Sequence, residues 1–328
     1  MIVVIGSLNY DYVTYMSKVP QAGETIHGIS FEEHLGGKGL NEAIAVSRLS
    51  PPSKKQGVVQ MWGKVGTDSN GDKMVKELIN SGVGVELVEK VEDTSSGSAS
   101  IFVEVDDGGE NRIVVIPGAN GLLNPTDSEL GKVFKGTETK EFLVLQNEFP
   151  DPIHVIEWLS ENRPNVVKFY NPSPMKKEFA KNLKALNKIE YLVVNQGEAL
   201  ELYEGFGGGD TVIEESDIEK LVLELSKYLT YPNIIITLGG DGCMYLPTGK
   251  ERKVGYLSSV KVDKVVDTTG AGDTFLGGLC SSLYFNESYE LSDAVKFGSY
   301  AASLTIQNKG AVESIPWYAD VLEAIEKS

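Results

Sequence analysis

The sequence predicts an α/β protein: a doubly wound, mostly parallel sheet flanked by helices, with a small β-sheet lid outside it. Three observations carry that expectation. Short β-branched runs alternate with amphipathic stretches, two glycine-rich turns each open a helical pattern, and one hairpin pattern interrupts the alternation.

The chain opens on Ile2-Val3-Val4-Ile5, which runs straight into Gly6. This run is too short for the apolar core of a signal peptide and has no basic segment before it, so it predicts a first buried strand and no export. Val58–Trp62, Phe142–Leu145, Val166–Tyr170, Tyr191–Val194 and Ile234–Leu238 have the unbroken apolar character of buried parallel strands. Between them, Ile153, Ile156, Trp158 and Leu159 mark one helix, and Ile218, Leu221, Leu225 and Leu229 another. Leu276, Leu279 and Leu283 mark a third, which follows the strand-like segment Val260–Val266 and a glycine-rich turn.

Ser98–Val105 and Arg112–Ile116 flank Asp106-Asp107-Gly108-Gly109-Glu110-Asn111, the pattern of a hairpin with a glycine-bearing turn. Together with extended sequence at 25–34 it predicts a secondary sheet, a lid built from about 10–34 and 95–117. Pro51–Gln56 and Gly205–Asp210 have the composition of surface loops, the second continuing as an apparent insertion to 212. With no repeat and no long linker, residues 1–328 are expected to form a single domain.

Composition narrows the function classes. The 328 residues carry 47 acidic and 30 basic side chains, a net charge of −17, with 41% hydrophobic residues. That apolar fraction suffices for a core, and the acidic field argues against nucleic acid or an anionic membrane as partner. No apolar run approaches the ~18 residues of a membrane span. Two cysteines, Cys243 and Cys280, without CxxC spacing fit a reducing compartment, and His27, His34 and His154 have no ligand spacing. A cytoplasmic location is expected, with the nucleus also open.

Asp267-Thr268-Thr269-Gly270-Ala271-Gly272-Asp273-Thr274-Phe275 opens the helix of Leu276. Glycines at a helix entry let backbone N–H groups face outward, and with the helix dipole they suit a phosphoryl group in transfer. Asp273, in the first turn, can accept the proton of an attacking alcohol; the bland alternative is an acidic residue that only stabilises the helix end. Gly36-Gly37-Lys38-Gly39-Leu40-Asn41-Glu42-Ala43 also enters a helix. It is not a Walker A loop, since Glu32 and Gly39 stand where glycine and Ser or Thr are required, and no stretch matches GxGxxG. Lys38 and Asn41 give it polar reach suited to a polyol; a flexible turn is the alternative. At the first strand's end, Asn9 and Asp11 share one face by period-2 geometry, a pair for adjacent hydroxyls or ordinary turn chemistry. Glu148 follows another strand, at the end where ligands of open α/β sheets collect.

With these segments in order, the chain resembles, over nearly its whole length, the ribokinase-like (PfkB) carbohydrate kinase family, which also contains fructokinases and adenosine kinases. The resemblance rests on Gly6–Asp11, Pro20–Thr25, GGKGxNxA at 36–43, Asn195-Gln196-Gly197-Glu198, Thr237–Gly242, DTTGAGDTF at 267–275 and Asn308-Lys309-Gly310-Ala311. It implies ATP-dependent phosphorylation of D-ribose at its 5-hydroxyl, giving D-ribose 5-phosphate and ADP. In that scheme Asp273 resembles the general base, with Gly270, Ala271 and Gly272 as anion hole. Asn9, Tyr10, Asp11, Gly37, Lys38, Gly39, Asn41 and Glu148 match sugar-contacting positions. Asn195, Thr237, Leu238, Gly239, Gly240, Asp241, Gly242 and Gly272 match nucleotide positions, and Glu198 one that holds Mg2+ through water.

Asp267, Thr269, Thr305, Asn308, Gly310 and Ser314 resemble the family's oxygen-only site for K+. The resemblance also implies a homodimer joined through the lid. Leu40 departs from a commoner alanine, and the adenine contacts near 299–308 do not carry over. Lys38 with Asn41 favours ribose; fructose or a nucleoside is the alternative substrate, and a silent sugar-binding sensor the alternative class.

Overall fold

A computed structural model describes residues 1–54, 57–107, 110–136, 140–175, 177–208, 213–214, 217–249 and 252–328. Lys55 and Gln56, the hairpin glycines Gly108 and Gly109, and residues 209–212 of the apparent insertion lie outside these. The strands are β1 (Ile2–Ile5), β2 (Asn9–Met16), β3 (Ser30–Gly36), β4 (Val59–Gly66), β5 (Gly84–Val91), β6 (Gly97–Glu104), β7 (Glu110–Ile116), β8 (Phe142–Gln146), β9 (Val167–Asn171), β10 (Tyr191–Asn195), β11 (Asn233–Thr237), β12 (Cys243–Leu246) and β13 (Gly255–Leu257). The helices are α1 (Lys38–Arg48), α2 (Ser69–Asn80), α3 (Asp127–Val133), α4 (Pro152–Asn162), α5 (Leu183–Leu186), α6 (Gln196–Gly205), α7 (Ile218–Tyr228), α8 (Ala271–Phe285), α9 (Leu291–Thr305), α10 (Ala311–Ser314) and α11 (Tyr318–Glu326).

Nine strands form one sheet in the order β13-β12-β11-β10-β9-β8-β1-β4-β5. From β11 to β5 every pairing is parallel; β12 and β13 add antiparallel pairings at one edge. Alternation along the strands divides the core in two. Ile2, Val4, Phe142, Val144 and Ile235 pack under one helical layer with residues of α1, α2, α8 and α9, whereas Val3, Ile5, Leu143, Leu145, Ile234 and Ile236 pack under the other with α3, α4, α6 and α7. From β1 the chain steps to β4 and β5, then returns to β8 on the other side of β1 and proceeds to β11. The strand order therefore reverses between β1 and β8, and the crevice beyond their carboxyl ends is where an open α/β sheet accepts a ligand.

The second sheet, β3-β2-β6-β7, is the expected lid. Its hairpin β6–β7 pairs Ser98 with Ile116 through Phe102 with Arg112. The extended segment expected at 25–34 forms a strand only from Ser30, running on to Gly36.

Two expectations require correction. Asn9, Tyr10 and Asp11 begin β2 of the lid and do not end β1, because Gly6–Leu8 breaks the sheet ladder before them. The strand-like segment Val260–Val266 forms no strand. Among the described residues it pairs with no strand, Val265 and Val266 stay exposed, and the N–H groups of Val266 and Asp267 donate to the Ile306 carbonyl at 2.8 and 3.3 Å. β-branched composition cannot make a strand without a partner edge.

Candidate active site

Two helix N-termini converge over the β1/β8 reversal. Gly37 caps α1 with φ 88°, and Gly270 caps α8 with φ 76°, both in the left-handed region where a side chain is strained. Gly37 also lies against the Asn9 backbone, and a Cβ there would approach the Asn9 nitrogen to 2.8 Å. Among the first N–H groups, Lys38 N donates to Glu148, Leu40 N to the Ser7 carbonyl and Ala271 N to the Thr268 carbonyl.

Side chains from both helices meet there. Lys38 Nζ donates to Asp273 Oδ1 at 3.3 Å, and Asn41 Nδ2 donates to Asp273 Oδ2 at 2.8 Å. Asp273 is 7% exposed, so the two α1 groups orient a carboxylate shielded from bulk water. Glu148, just after β8, accepts from the Lys38 backbone N–H at 2.8 Å and from the Ser7 hydroxyl. Burial works against the Lys38 ammonium, but the acidic groups around it, Asp273 first among them, outweigh it and hold its pKa above the usual lysine range.

The lid closes one side of this space. Asn9 is buried, its Oδ1 accepting from Asn120 Nδ2 at 2.8 Å; the same Asn120 side chain accepts from Leu8 N and donates to Leu8 O. Asp11 lies against Gly36, where a Cβ would collide with its carboxylate. Burial, then the charge of Glu148, pushes the Asp11 carboxyl up to about 7, with His34 partly opposing. Tyr10 alternates to the other face of β2, as period 2 requires, and its hydroxyl accepts from Lys73 Nζ at 2.8 Å and donates to Glu33 at 3.2 Å. The structure thus brings Asn9, Asp11, Gly37, Lys38, Asn41, Glu148 and Asp273 to one crevice and directs Tyr10 elsewhere; Gly39 is spent on close packing, since a Cβ there would strike the Gly6 and Ser7 backbone.

At Gly239, Gly240 and Gly272 a Cβ would meet no atom within 4 Å. Nothing inside the protein demands glycine at Gly240 or Gly272, so bare backbone there leaves room for a group from outside, as a polyphosphate needs. Thr237 ends β11, and Leu238 to Asp241 turn back to Gly242, whose carbonyl accepts from Leu238 N at 2.8 Å. Asn195 and Glu198 form a reciprocal capping box at the start of α6, each side chain accepting from the other's backbone N–H at 2.9 Å. Glu198 is half-buried, and its charge is felt at Lys38.

Beside the Gly270 turn, Asp267 Oδ1 accepts from Thr269 N and Oγ1 at 2.9 and 2.7 Å, and Oδ2 accepts from Gly310 N at 3.0 Å. Burial opposes its charge, but these bonds outweigh it and hold the carboxyl below its usual range. Thr305 is buried and donates to Thr274 Oγ1 at 3.0 Å; Ser314 Oγ donates to the Ala311 carbonyl at 2.9 Å. Among the described residues there is no cluster of three His, Cys, Asp or Glu that could hold a metal ion. The lid reaches this corner, with Lys309 Nζ 3.0 Å from Glu32 and His34 Nδ1 3.7 Å from Glu313.

Sequence reasoning missed Ser7, Asn120 and His34 as parts of the site. Ser7 lay inside a quoted motif and could have been found there; Asn120 and His34 have no spacing signal and reach the site only through tertiary contacts.

A family model described as pfkB family carbohydrate kinase matches residues 1–318. The chain is 35% identical over 322 residues to the ribokinase of Schizosaccharomyces pombe, covering 98% of this chain and 96% of that protein. It superposes with TM-score 0.81 and 31% identity on a ribokinase of Cryptococcus neoformans solved with ADP, covering 98% of each chain. On the ribokinase of Arabidopsis thaliana solved with ribose and ATP the TM-score is 0.82 at 27% identity, covering 100% of this chain and 99% of that one.

Proposed function

The chain belongs to the pfkB family of carbohydrate kinases, and on that premise we propose that it transfers the γ-phosphoryl group of ATP to the 5-hydroxyl of D-ribose, giving D-ribose 5-phosphate and ADP. The observation that carries the chemistry is the convergence of α1 and α8, which holds Asp273 between Lys38 and Asn41 at an open helix N-terminus. Asp273 accepts the proton of the 5-hydroxyl as the sugar oxygen bonds to the γ-phosphorus and the bond to the β–γ bridging oxygen breaks; the leaving group is ADP. The Gly270–Gly272 turn forms the anion hole for the phosphoryl oxygens at the start of α8, and Lys38 offsets their charge. Asn9, Asp11, Asn41 and Glu148 orient the sugar hydroxyls, while Thr237 to Gly242 and Asn195 border the nucleotide.

In the same reading, Glu198 takes part in holding Mg2+ through water, the ion neutralising the triphosphate when bound. Asp267, with Thr269, Thr305, Asn308, Gly310 and Ser314, holds K+ beside the anion hole, a reading supported by the oxygen-only donor set. The protein works in the cytoplasm as a homodimer joined at the lid, supported by the apolar exterior of that sheet. The deciding measurement is a coupled assay with ribose, 2-deoxyribose, fructose and adenosine, run with and without K+ and after chelation of Mg2+. Ribose is expected to be turned over best, with K+ raising and chelation abolishing turnover. Negligible turnover of ribose beside another substrate overturns the substrate assignment. Asp273→Asn is expected to lose about 10²–10⁴-fold in kcat; full activity in that variant removes the base.

A further inference from the structure

Directly under the sugar crevice lies a titratable group with no part in the chemistry above. Glu42, on α1 one residue past Asn41, is 0% exposed. Its carboxylate Oε2 accepts from the Gln146 amide at the end of β8, itself 0% exposed. Glu42 Oε1 and Gln146 Oε1 are buried with no hydrogen-bond partner, although an ionised carboxylate needs donors on both oxygens. Among the described residues no cation is bonded to it: Lys38, also on α1, donates to Asp273. The groups facing Glu42 are otherwise anionic or neutral, with Asp273 and Cys280 on α8 and Glu148 after β8.

A proton on Glu42 changes this arrangement. A carboxylic acid can donate to Gln146 Oε1 once the amide is turned about its last bond, and the two amide orientations are the same shape. Gln146 Oε1 is then bonded while its NH2 takes the position Oε1 held, so the gain is electrostatic: no bare charge remains in the core, and a second negative charge behind Asp273 is avoided. Burial, reinforced by the charge of Asp273, pushes the Glu42 carboxyl in the same direction, well above the carboxylate range.

We propose that Glu42 is held as a neutral carboxylic acid paired with Gln146, and that this acid–amide pair is a positioning device fixing α1, and through it Lys38 and Asn41, beneath the sugar. Its catalytic consequence rests on the kinase reading, whereas its protonation does not. Because the unfolded chain ionises this carboxyl near its ordinary value of about 4.3 and the folded chain does not, Glu42 weakens folding progressively as pH rises above that value.

The test compares the wild type with Glu42→Gln, which keeps a neutral side chain of the same shape. Denaturant unfolding of both proteins from about pH 5 to about pH 7 is expected to shift in favour of the variant by about tenfold in the folding equilibrium per pH unit. A ratio that stays flat with pH shows an ionised Glu42 and overturns the proposal, whether or not the protein phosphorylates ribose. In kinetics, Glu42→Ala is expected to lose about tenfold or more in kcat by loosening α1, and Glu42→Gln to restore it. Equal losses in the Ala and Gln variants mean the charged form is the working one, and again overturn the proposal.

Discussion

At the scale of single residues, the site is a set of carboxyls told apart by their surroundings. Asp273 is oriented by Lys38 and Asn41, Asp267 is stabilised as an anion by Thr269 and Gly310, and Glu42 has a donor, the Gln146 amide, on only one of its two oxygens. Asp11 stands between these cases, its carboxyl pushed up to about 7 by burial and by Glu148. Above that pH it becomes an acceptor-only carboxylate, the form that receives sugar hydroxyls, so KM for D-ribose is expected to fall as pH rises from 6 to 8. The ligand-free protein shows the opposite sign in stability. A carboxyl raised on folding leaves stability intact below its unfolded value, about 3.9, and loses it as pH climbs to about 7. Asp11→Asn should raise KM and flatten both dependences; a wild-type KM that does not move between pH 6 and 8 would rule this role out. Most of these residue types were legible in the sequence because they stand in motifs. Their ionisation was not, because it depends on neighbours from α8, β8 and the lid that are distant along the chain.

At the scale of elements, the helix entries carry the most information. Gly270 sits in the left-handed region, and a Cβ would approach Ala311 Cα to 3.1 Å. Gly270→Ala therefore costs roughly 1–2 kcal/mol of backbone strain and presses the first turn of α8 away from Ala311. It is expected to lower kcat well beyond its effect on thermal stability, since the proposed anion hole moves with that turn. A variant with a lower melting temperature but unchanged kcat would mean that the turn only supports the fold. The capping box of Asn195 and Glu198 shows how an element signal can hide within a functional one: Asn-x-x-Glu is also a helix start, and the structure uses it as such. Val260–Val266 shows the reverse, a strand composition left unpaired because β13 is followed by no edge in its reach.

At the scale of the whole molecule, the lid presents an apolar exterior. Ile113, Val114, Val115 and Ile116 on the edge strand β7 and Ile29 and Phe31 near β3 are each more than half exposed. An uncovered apolar edge strand invites pairing with another, which is the physical ground for the proposed dimer. Light scattering of the wild type is expected to give twice the chain mass, and Val114→Lys to give a monomer; a monomeric wild type at micromolar concentration would remove the dimer.

The net charge of −17 also has its explanation at this scale. Across 36–41, 237–242 and 267–275 Lys38 is the only basic residue, while eight of the 35 glycines fall there. An acidic protein can accept a polyphosphate when backbone amides and a bound cation meet it, without a basic surface.

The sequence by itself determined the α/β architecture, the lid hairpin and the three motif-bearing turns, because periodicity and glycine placement are local properties that short-range sterics enforce. Only the tertiary structure decided that Asn9 belongs to the lid, that Tyr10 faces away, that Asn120 and Ser7 hold the crevice together, and that Glu42 is buried beneath it with a donor on one oxygen only. Each of these depends on which distant segment arrives as a neighbour, and burial and electrostatic environment exist only once those neighbours are in place.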